Sequence, residues 1–197
     1  MFPHKSILAA ALVVLVSGCT TTMNTTLPVT PSDAAGFGPL TAEERRDIRN
    51  GYDDAMRRLD TTPGASALID KAVGVLVFPQ VISGGLVVGV ELGNGVLRVK
   101  NNFGGYYRMA TGTLGLQIGA QSRSLVFLFM TQESLDNFRG SNGWSVGADA
   151  SVAVLRVGVN GAIDVSVAQA PTIAFVMTNA GLMANLTFKG TRITPIQ

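Results

Sequence analysis

Apolar residues recur with a helical period between residues 41 and 60. They fall on one stripe of an α-helix, which consists of Ile48, Tyr52, Ala55, Met56 and Leu59. Thr41 and Glu44 precede the stripe with the spacing of a capping box, in which each side chain accepts a hydrogen bond from a free backbone amide at the helix end. The pattern therefore predicts an amphipathic helix over residues 42–60.

The polar side of this helix is nearly neutral, because its acidic and basic residues almost balance. A helix that lies on a membrane surface is usually enriched in lysine and arginine. The balance favours a helix that packs on the domain. Two shorter helices are predicted as well: residues 65–72 follow the break at Pro63 and Gly64, and residues 131–138 end before Gly140.

From residue 73 onward the apolar residues come in short runs separated by glycines, a texture typical of strands, turns and bulges. The predicted strands are 75–78, 85–92, 95–100, 103–109, 113–121, 124–130, 144–157, 160–168, 172–178 and 182–189. Many are apolar on both faces or alternate with Gly, Ala and Ser, which implies close packing of the sheet against a sheet or a helix, or a tightly curved barrel. The predicted fold class is α+β, a mainly antiparallel β-sheet or barrel with an N-terminal amphipathic helix and two short helices.

The first residues have the pattern of an export signal. Lys5 precedes an apolar run over residues 7–16, which is too short to span a membrane permanently. Ser17 and Gly18 then precede Cys19, and these residues resemble the lipobox of bacterial lipoproteins. The resemblance implies that residues 1–18 are a lipoprotein signal peptide and that Cys19 is acylated. An ordinary secretory signal with a coincidental cysteine is the alternative.

Residues 19–40 are rich in Thr, Pro, Ser and Gly and carry one charge, at Asp33, so they are predicted to be a flexible tether. The remaining residues, 41–197, form the predicted folded domain. The residue after the cysteine is Thr20 and not an aspartate. In lipoproteins this resembles the pattern of default sorting to the outer membrane. The expected location is therefore the bacterial cell envelope, as an outer-membrane lipoprotein.

The composition of the chain argues against several classes of function. The net charge is only +2 and the basic residues are scattered, which argues against nucleic-acid binding. The one histidine, His4, lies in the predicted signal, so catalytic triads and histidine-ligated metal sites are not expected in the mature chain. Residues 143–147 match the Gly-x-Ser-x-Gly pattern of hydrolases, but Ser145 would have no histidine to activate it. We expect no enzyme, no metal and no cofactor. A carboxylate pair of Asp149 and Asp164 is the remaining catalytic alternative.

Several blocks of sequence resemble the SYLF domain, in the order in which that family has them. They lie at residues 71–79, 84–89, 116–121, 135–138, 147–153 and 174–190, and the resemblance covers about residues 41–195. It implies a non-enzymatic lipid-binding module. Eukaryotic SYLF domains are associated with phosphoinositides and actin regulation, and bacterial members are often exported lipoproteins.

Basic residues of the domain are the candidates for lipid binding. Arg98 and Lys100 are two apart on a predicted strand and share a face, and Arg108 follows on the next strand. Lys71, Lys189 and Arg192 join them if the fold brings the strand ends together. We expect a membrane-anchored lipoprotein whose SYLF-like domain binds membrane phospholipids. The alternative is an envelope structural or interaction protein that docks another protein and touches lipid only through its acyl anchor.

Overall fold

The computed structural model describes residues 38–85, 88–114, 121–149, 151–155, 163, 169–178, 181–183 and 190–197. Residues Pro39–Gln197 form one structural unit. The predictions made for the signal, the lipobox and the tether up to residue 37 lie outside the described residues. So do those for Asp164 and Lys189.

All three predicted helices are present. Helix α1 spans Ala42–Asp60, α2 spans Ala65–Lys71 and α3 spans Gln132–Gly140. The capping box of α1 is confirmed: the Thr41 amide donates to Glu44 Oε2 at 2.7 Å, and the Glu44 amide donates to Thr41 Oγ1 at 3.2 Å. No helix among the described residues has both the length and the apolar composition that crossing a membrane requires.

The described residues include nine strands that form one sheet, which curls into a half-barrel. The strands are β1 Gly74–Gly85, β2 Val88–Val99, β3 Asn102–Leu114, β4 Gln121–Phe129, β5 Trp144–Ser145, β6 Val152–Val154, β7 Thr172–Thr178, β8 Gly181–Met183 and β9 Thr191–Ile196. Their order is β5-β9-β3-β2-β1-β4-β7-β6, with β8 also paired to β7. Every pairing is antiparallel except that of β6 with β7. The predicted α+β class is confirmed.

Both faces of the sheet are buried. On one face, here called the α1 face, Val77, Val96 and Val126 pack with the apolar stripe of α1 and with α2. On the opposite α3 face, Phe78, Leu97 and Phe127 pack with residues of α3 and with Trp144. Successive residues of a strand point to opposite faces. Strands buried on both sides therefore account for the continuous apolar runs in the sequence.

The sequence pattern predicts a break between two strands at the glycines of positions 93 and 95. The structure has no break there. Strand β2 runs through them without a turn. A Cβ atom on Gly95 would lie 2.5 Å from the carbonyl oxygen of Val77 and 2.6 Å from Cδ1 of Phe78. Close approach of β1 is thus the reason for glycine here. The predicted strands 103–109 and 113–121 likewise contribute to the continuous strand β3, which ends at Leu114.

The predicted strand 144–157 is wrong, because a turn interrupts it after β5. Gly147 adopts a left-handed φ of 90°, and the Ser145 amide donates to the Asp149 carboxylate at 2.6 Å. The short strand β6 follows only at Val152. Strand β9 is not among the strands predicted from the sequence.

Candidate functional site

The hairpin between β2 and β3 presents a lysine and a phenylalanine at its tip. Lys100 and Asn101 both have left-handed φ values, 46° and 68°, as a two-residue type I′ turn requires. Lys100 is exposed, and Phe103 is 64% exposed, an unusual state for a large apolar side chain. The ladder shifts register so that Gly104 is the extra residue of a bulge, and the Phe103 ring lies 5.0 Å from the Tyr106 ring.

Two arginines of helix α1 lie against Tyr106. The Arg49 guanidinium donates to the Tyr106 hydroxyl at 2.7 Å, and the Arg45 guanidinium lies 5.8 Å from the centre of the same ring. Arg45 and Arg49 are four residues apart, so they are neighbours on the surface of the helix. We call Arg45, Arg49, Lys100, Phe103 and Tyr106 the Phe103 cluster. It combines three cations with an exposed aromatic side chain.

Arg98, a predicted site residue, contacts α1 beside this cluster. Its guanidinium lies 4.3 Å from the centre of the Tyr52 ring, a cation–π contact, and 3.3 Å from Oδ1 of Asp53. Burial raises the pKa of the Tyr52 hydroxyl, and the charge of Arg98 acts in the opposite direction. Arg98 is therefore partly neutralised and helps to hold α1 on the sheet.

Arg108 lies near the N-terminus of α1. Its Nε donates to Oδ1 of Asn94 at 3.0 Å, and burial lowers the pKa of its guanidinium. Hydrogen bonds from Thr41 lower the pKa of Glu44, and the charge of Arg108 contributes in the same direction. Asn94, which faces Arg108 across the ladder, is four residues from Arg98, about 13 Å along β2. The two arginines share the α1 face but do not converge.

The other predicted residues divide between the two ends of the sheet. Lys71 is exposed at the end of α2, just before β1, whose Val75 pairs with Arg98. Arg192 is exposed on β9 opposite Ala110, which makes it a diagonal neighbour of Arg108 on the α1 face. Lys71, Arg98 and Lys100 thus lie toward one end, and Arg108 and Arg192 toward the other. Lys189 lies outside the described residues.

Sequence reasoning missed four members of the Phe103 cluster: Arg45, Arg49, Phe103 and Tyr106. The balanced charges of α1 concealed the pair Arg45 and Arg49, although their spacing places them together. Phe103 is the first residue of the predicted strand 103–109, and the sequence pattern does not distinguish an exposed ring from a buried one at this position. The contact between α1 and β3 that assembles the cluster depends on tertiary packing, which the sequence pattern does not give.

Ser145 and Asp149, which the catalytic alternatives involve, both lie at or just after β5. Asp149 is exposed and accepts a hydrogen bond from the Ser145 amide, a structural use of its carboxylate. Ser145 itself lies in β5. Across the described ranges, no three side chains of His, Cys, Asp or Glu come together in a way that could hold a metal ion.

A buried ion pair lies on the α3 face, at the end of the sheet away from the hairpin tip. Arg123 of β4 donates to Glu91 of β2, and the Ser83 hydroxyl of β1 donates to the same carboxylate at 3.0 Å. The hydroxyls of Thr111 and Thr191 form a hydrogen bond of 2.8 Å with each other and are also buried. Five buried polar side chains therefore occupy this end of the α3 face.

Comparison with protein families gives one match. Residues 110–197 match the model of the Ysc84 family, described as Las17-binding protein actin regulator. This is a SYLF-domain family, so the resemblance predicted from the sequence is confirmed over these residues. The match begins within β3 and includes β4, α3 and β9, whereas α1 and the hairpin tip precede it. No curated protein matches the chain significantly.

Proposed function

We propose that this SYLF-family domain binds phospholipid surfaces through the Phe103 cluster. The observation that carries the proposal is the exposed ring of Phe103 next to the cations Arg45, Arg49 and Lys100. Exposure of an aromatic ring to water is unfavourable, so transfer of the ring to the boundary between headgroups and acyl chains lowers the free energy. Cations beside it attract anionic headgroups. Lipid binding by the SYLF family supports the same function.

The expected strength of this contact is modest. Removal of the exposed part of Phe103 from water contributes about 1–2 kcal/mol. Each cation near an anionic leaflet contributes about 1 kcal/mol, and salt weakens this part. The sum, about 4–5 kcal/mol, corresponds to a dissociation constant of roughly a millimolar. Such a contact binds transiently unless something else holds the domain near the membrane.

We propose that Cys19 supplies that second attachment. Residues 1–18 would be removed as a lipoprotein signal peptide, and the acylated cysteine would anchor the chain in the outer membrane of the bacterial envelope. Residues 19–40 would tether the domain at a high effective concentration over the lipid surface, where a weak contact suffices. Mass spectrometry of the protein from its native envelope tests this: a diacylated or triacylated N-terminal Cys19 is expected, and an unmodified Cys19 would contradict it.

Protein docking is the second candidate function. The matched family is described as binding a protein, Las17, and as regulating actin. An exposed aromatic residue with arginines in its neighbourhood is also typical of protein interfaces. In this case the chain would be an envelope interaction protein whose lipid contact is the acyl anchor alone. Neither candidate requires catalysis, and we propose that the protein is not an enzyme.

Co-sedimentation of residues 20–197 with vesicles tests the proposed function, because this chain lacks the acylated cysteine. Binding to vesicles of phosphatidylethanolamine and phosphatidylglycerol is expected to exceed binding to phosphatidylcholine vesicles. Phe103→Ser should weaken binding to the anionic vesicles about tenfold. Failure of the unsubstituted chain to bind either kind of vesicle would contradict lipid binding, and a protein captured only with Phe103 intact would favour the second candidate.

A further inference from the structure

The distribution of polar and apolar side chains is inverted at the end of the sheet that lies away from the hairpin tip. On the α1 face of β1 and β2, Ile82 and Val90 are each 49% exposed. Ile82 pairs with Leu92 across the ladder, and Val90 is the next residue of β2 on that face, so the two are diagonal neighbours. Helix α1 does not cover these two side chains. It crosses the sheet nearer the hairpin tip, where Gly51 contacts Pro79.

On the α3 face of the same strand ends, the side chains are polar and buried. Ser83, Glu91 and Arg123 form the ion pair and hydrogen bond described above, and Thr111 lies opposite Glu91 on β3. Further along the same strands the α3 face carries Val81, Leu97 and Leu125, which belong to an apolar core. The polarity of this face therefore changes within two residues along β1.

A sheet end that faces water normally has the opposite arrangement, with polar residues outside and apolar residues inside. Apolar residues outside and polar residues inside are the arrangement of strands whose outer surface contacts lipid. The opposite charges of Glu91 and Arg123 are paired on the buried face, and the outer face carries the uncharged side chains of Ile82 and Val90. Transfer of these two neighbouring β-branched side chains from water to lipid is favourable, because both are apolar.

Two cations share this face, on the next two strands of the sheet. Leu92 pairs with Ala110 of β3, and Ala110 pairs with the exposed Arg192 of β9. Arg108 lies diagonal to Arg192 on the same face. An apolar patch with cations on the same face complements the boundary of an anionic bilayer, where acyl chains meet phosphate groups.

We propose that Ile82 and Val90, on the ends of β1 and β2, enter the acyl boundary of an anionic phospholipid bilayer, with Arg108 and Arg192 at the headgroups. This inference rests on the proposed function, since it presumes that the domain contacts lipid. It adds a second lipid contact at the opposite end of the strands from the Phe103 cluster. It also gives Arg108 and Arg192 a common role that Arg98, committed to helix α1, does not share.

Tryptophan reporters test the two contacts separately in the full chain. Ile82→Trp reports on the strand ends, Phe103→Trp reports on the Phe103 cluster, and Glu133→Trp places the reporter on the exposed side of α3 as the control. The natural Trp144 is buried and adds a constant background. Each variant is mixed with vesicles of phosphatidylethanolamine and phosphatidylglycerol whose acyl chains carry bromine, and quenching of fluorescence is measured.

Quenching of Ile82→Trp, without quenching of Glu133→Trp, is the expected result. Quenching of Phe103→Trp alone would overturn the second contact and leave the proposed function intact. If none of the variants is quenched or bound, both proposals are wrong. A companion variant, Ile82→Ser with Val90→Ser, is expected to bind these vesicles about tenfold more weakly than the unsubstituted chain. Unchanged binding of a folded double variant would also overturn the inference.

Discussion

The Arg49 guanidinium donates a hydrogen bond of 2.7 Å to the hydroxyl of Tyr106, and this contact joins residues that are 57 positions apart. It connects the first turns of α1 to the middle of β3. Because Tyr106 also contacts Phe103, the position of the helix determines the surroundings of the exposed ring. The cations of α1 and the tip of the β2–β3 hairpin therefore form one surface.

Removal of the α1 cations should weaken lipid binding selectively. We expect Arg45→Gln with Arg49→Gln to reduce affinity for anionic vesicles by about 2 kcal/mol at low salt, roughly thirtyfold, because two charges near the headgroups are lost. Affinity for phosphatidylcholine vesicles should change little. The matched control is Arg57→Gln with Arg139→Gln, which removes two exposed arginines at other places on the fold. Equal losses in both double variants would indicate a general charge effect.

The ion pair of Glu91 and Arg123 should be costly to break. Glu91→Gln is expected to lower the free energy of unfolding by about 3–5 kcal/mol, because Arg123 would remain buried without its counter-charge. The control is Asp54→Asn, which removes the carboxylate of an exposed pair with Arg57 and should cost less than about 0.5 kcal/mol. Urea unfolding measures both. A loss at Glu91 no larger than that at Asp54 would contradict burial of the pair.

Two glycines test the packing of the strands. Gly95→Ala should destabilise the domain by about 1–3 kcal/mol, because its Cβ would collide with Val77 and Phe78. At Gly112, on the neighbouring strand, a Cβ would have no atom within 4 Å, and Gly112→Ala should change stability by about 0.5 kcal/mol or less. Thermal unfolding of the two variants compares them directly. A well-tolerated alanine at position 95 would mean that β1 and β2 lie farther apart.

Glu44, in the capping box of α1, should make the free energy of unfolding depend on pH. Hydrogen bonds from Thr41 lower the pKa of Glu44 below its usual value of 4.5. The group therefore contributes stability that is present above about pH 4.5 and is lost as the pH falls through the folded-state pKa. Glu44→Gln can still accept hydrogen bonds but does not titrate, so its stability should fall less between pH 5 and about pH 3. Urea unfolding over this range measures the difference, with Glu43→Gln as the control. A parallel loss in the Glu44 variant and the unsubstituted chain would contradict the assignment.

The helices could be predicted from sequence because their signals are local. The stripe that contains Ile48 and Leu59, and the cap formed by Thr41 and Glu44, lie within one segment and need no partner to be recognised. Strand boundaries were harder, since a glycine that marks a turn and one that marks close packing look alike in sequence. Gly93 and Gly95 belong to the second kind.

The candidate site was predictable only in part. Lys100 was identified, but its neighbours come from α1, and their approach depends on how the helix crosses the sheet. Arg98 and Arg108 share a face, yet their surroundings differ: Arg98 lies against Asp53 of α1, whereas Arg108 donates a hydrogen bond to Asn94 of β2. Spacing along a strand gives the face of a side chain. It does not give the element that packs over that face.

The two-residue turn at Lys100 and Asn101 also bears on the kinetics of membrane contact. A long binding loop must lose many backbone conformations when it docks, which slows productive encounters and weakens the complex. This hairpin has almost no free backbone to lose, because the β2–β3 ladder fixes the residues on both sides of the turn. Under the proposed function, the hairpin meets a lipid surface as a rigid element, so we expect the domain to engage and release that surface rapidly.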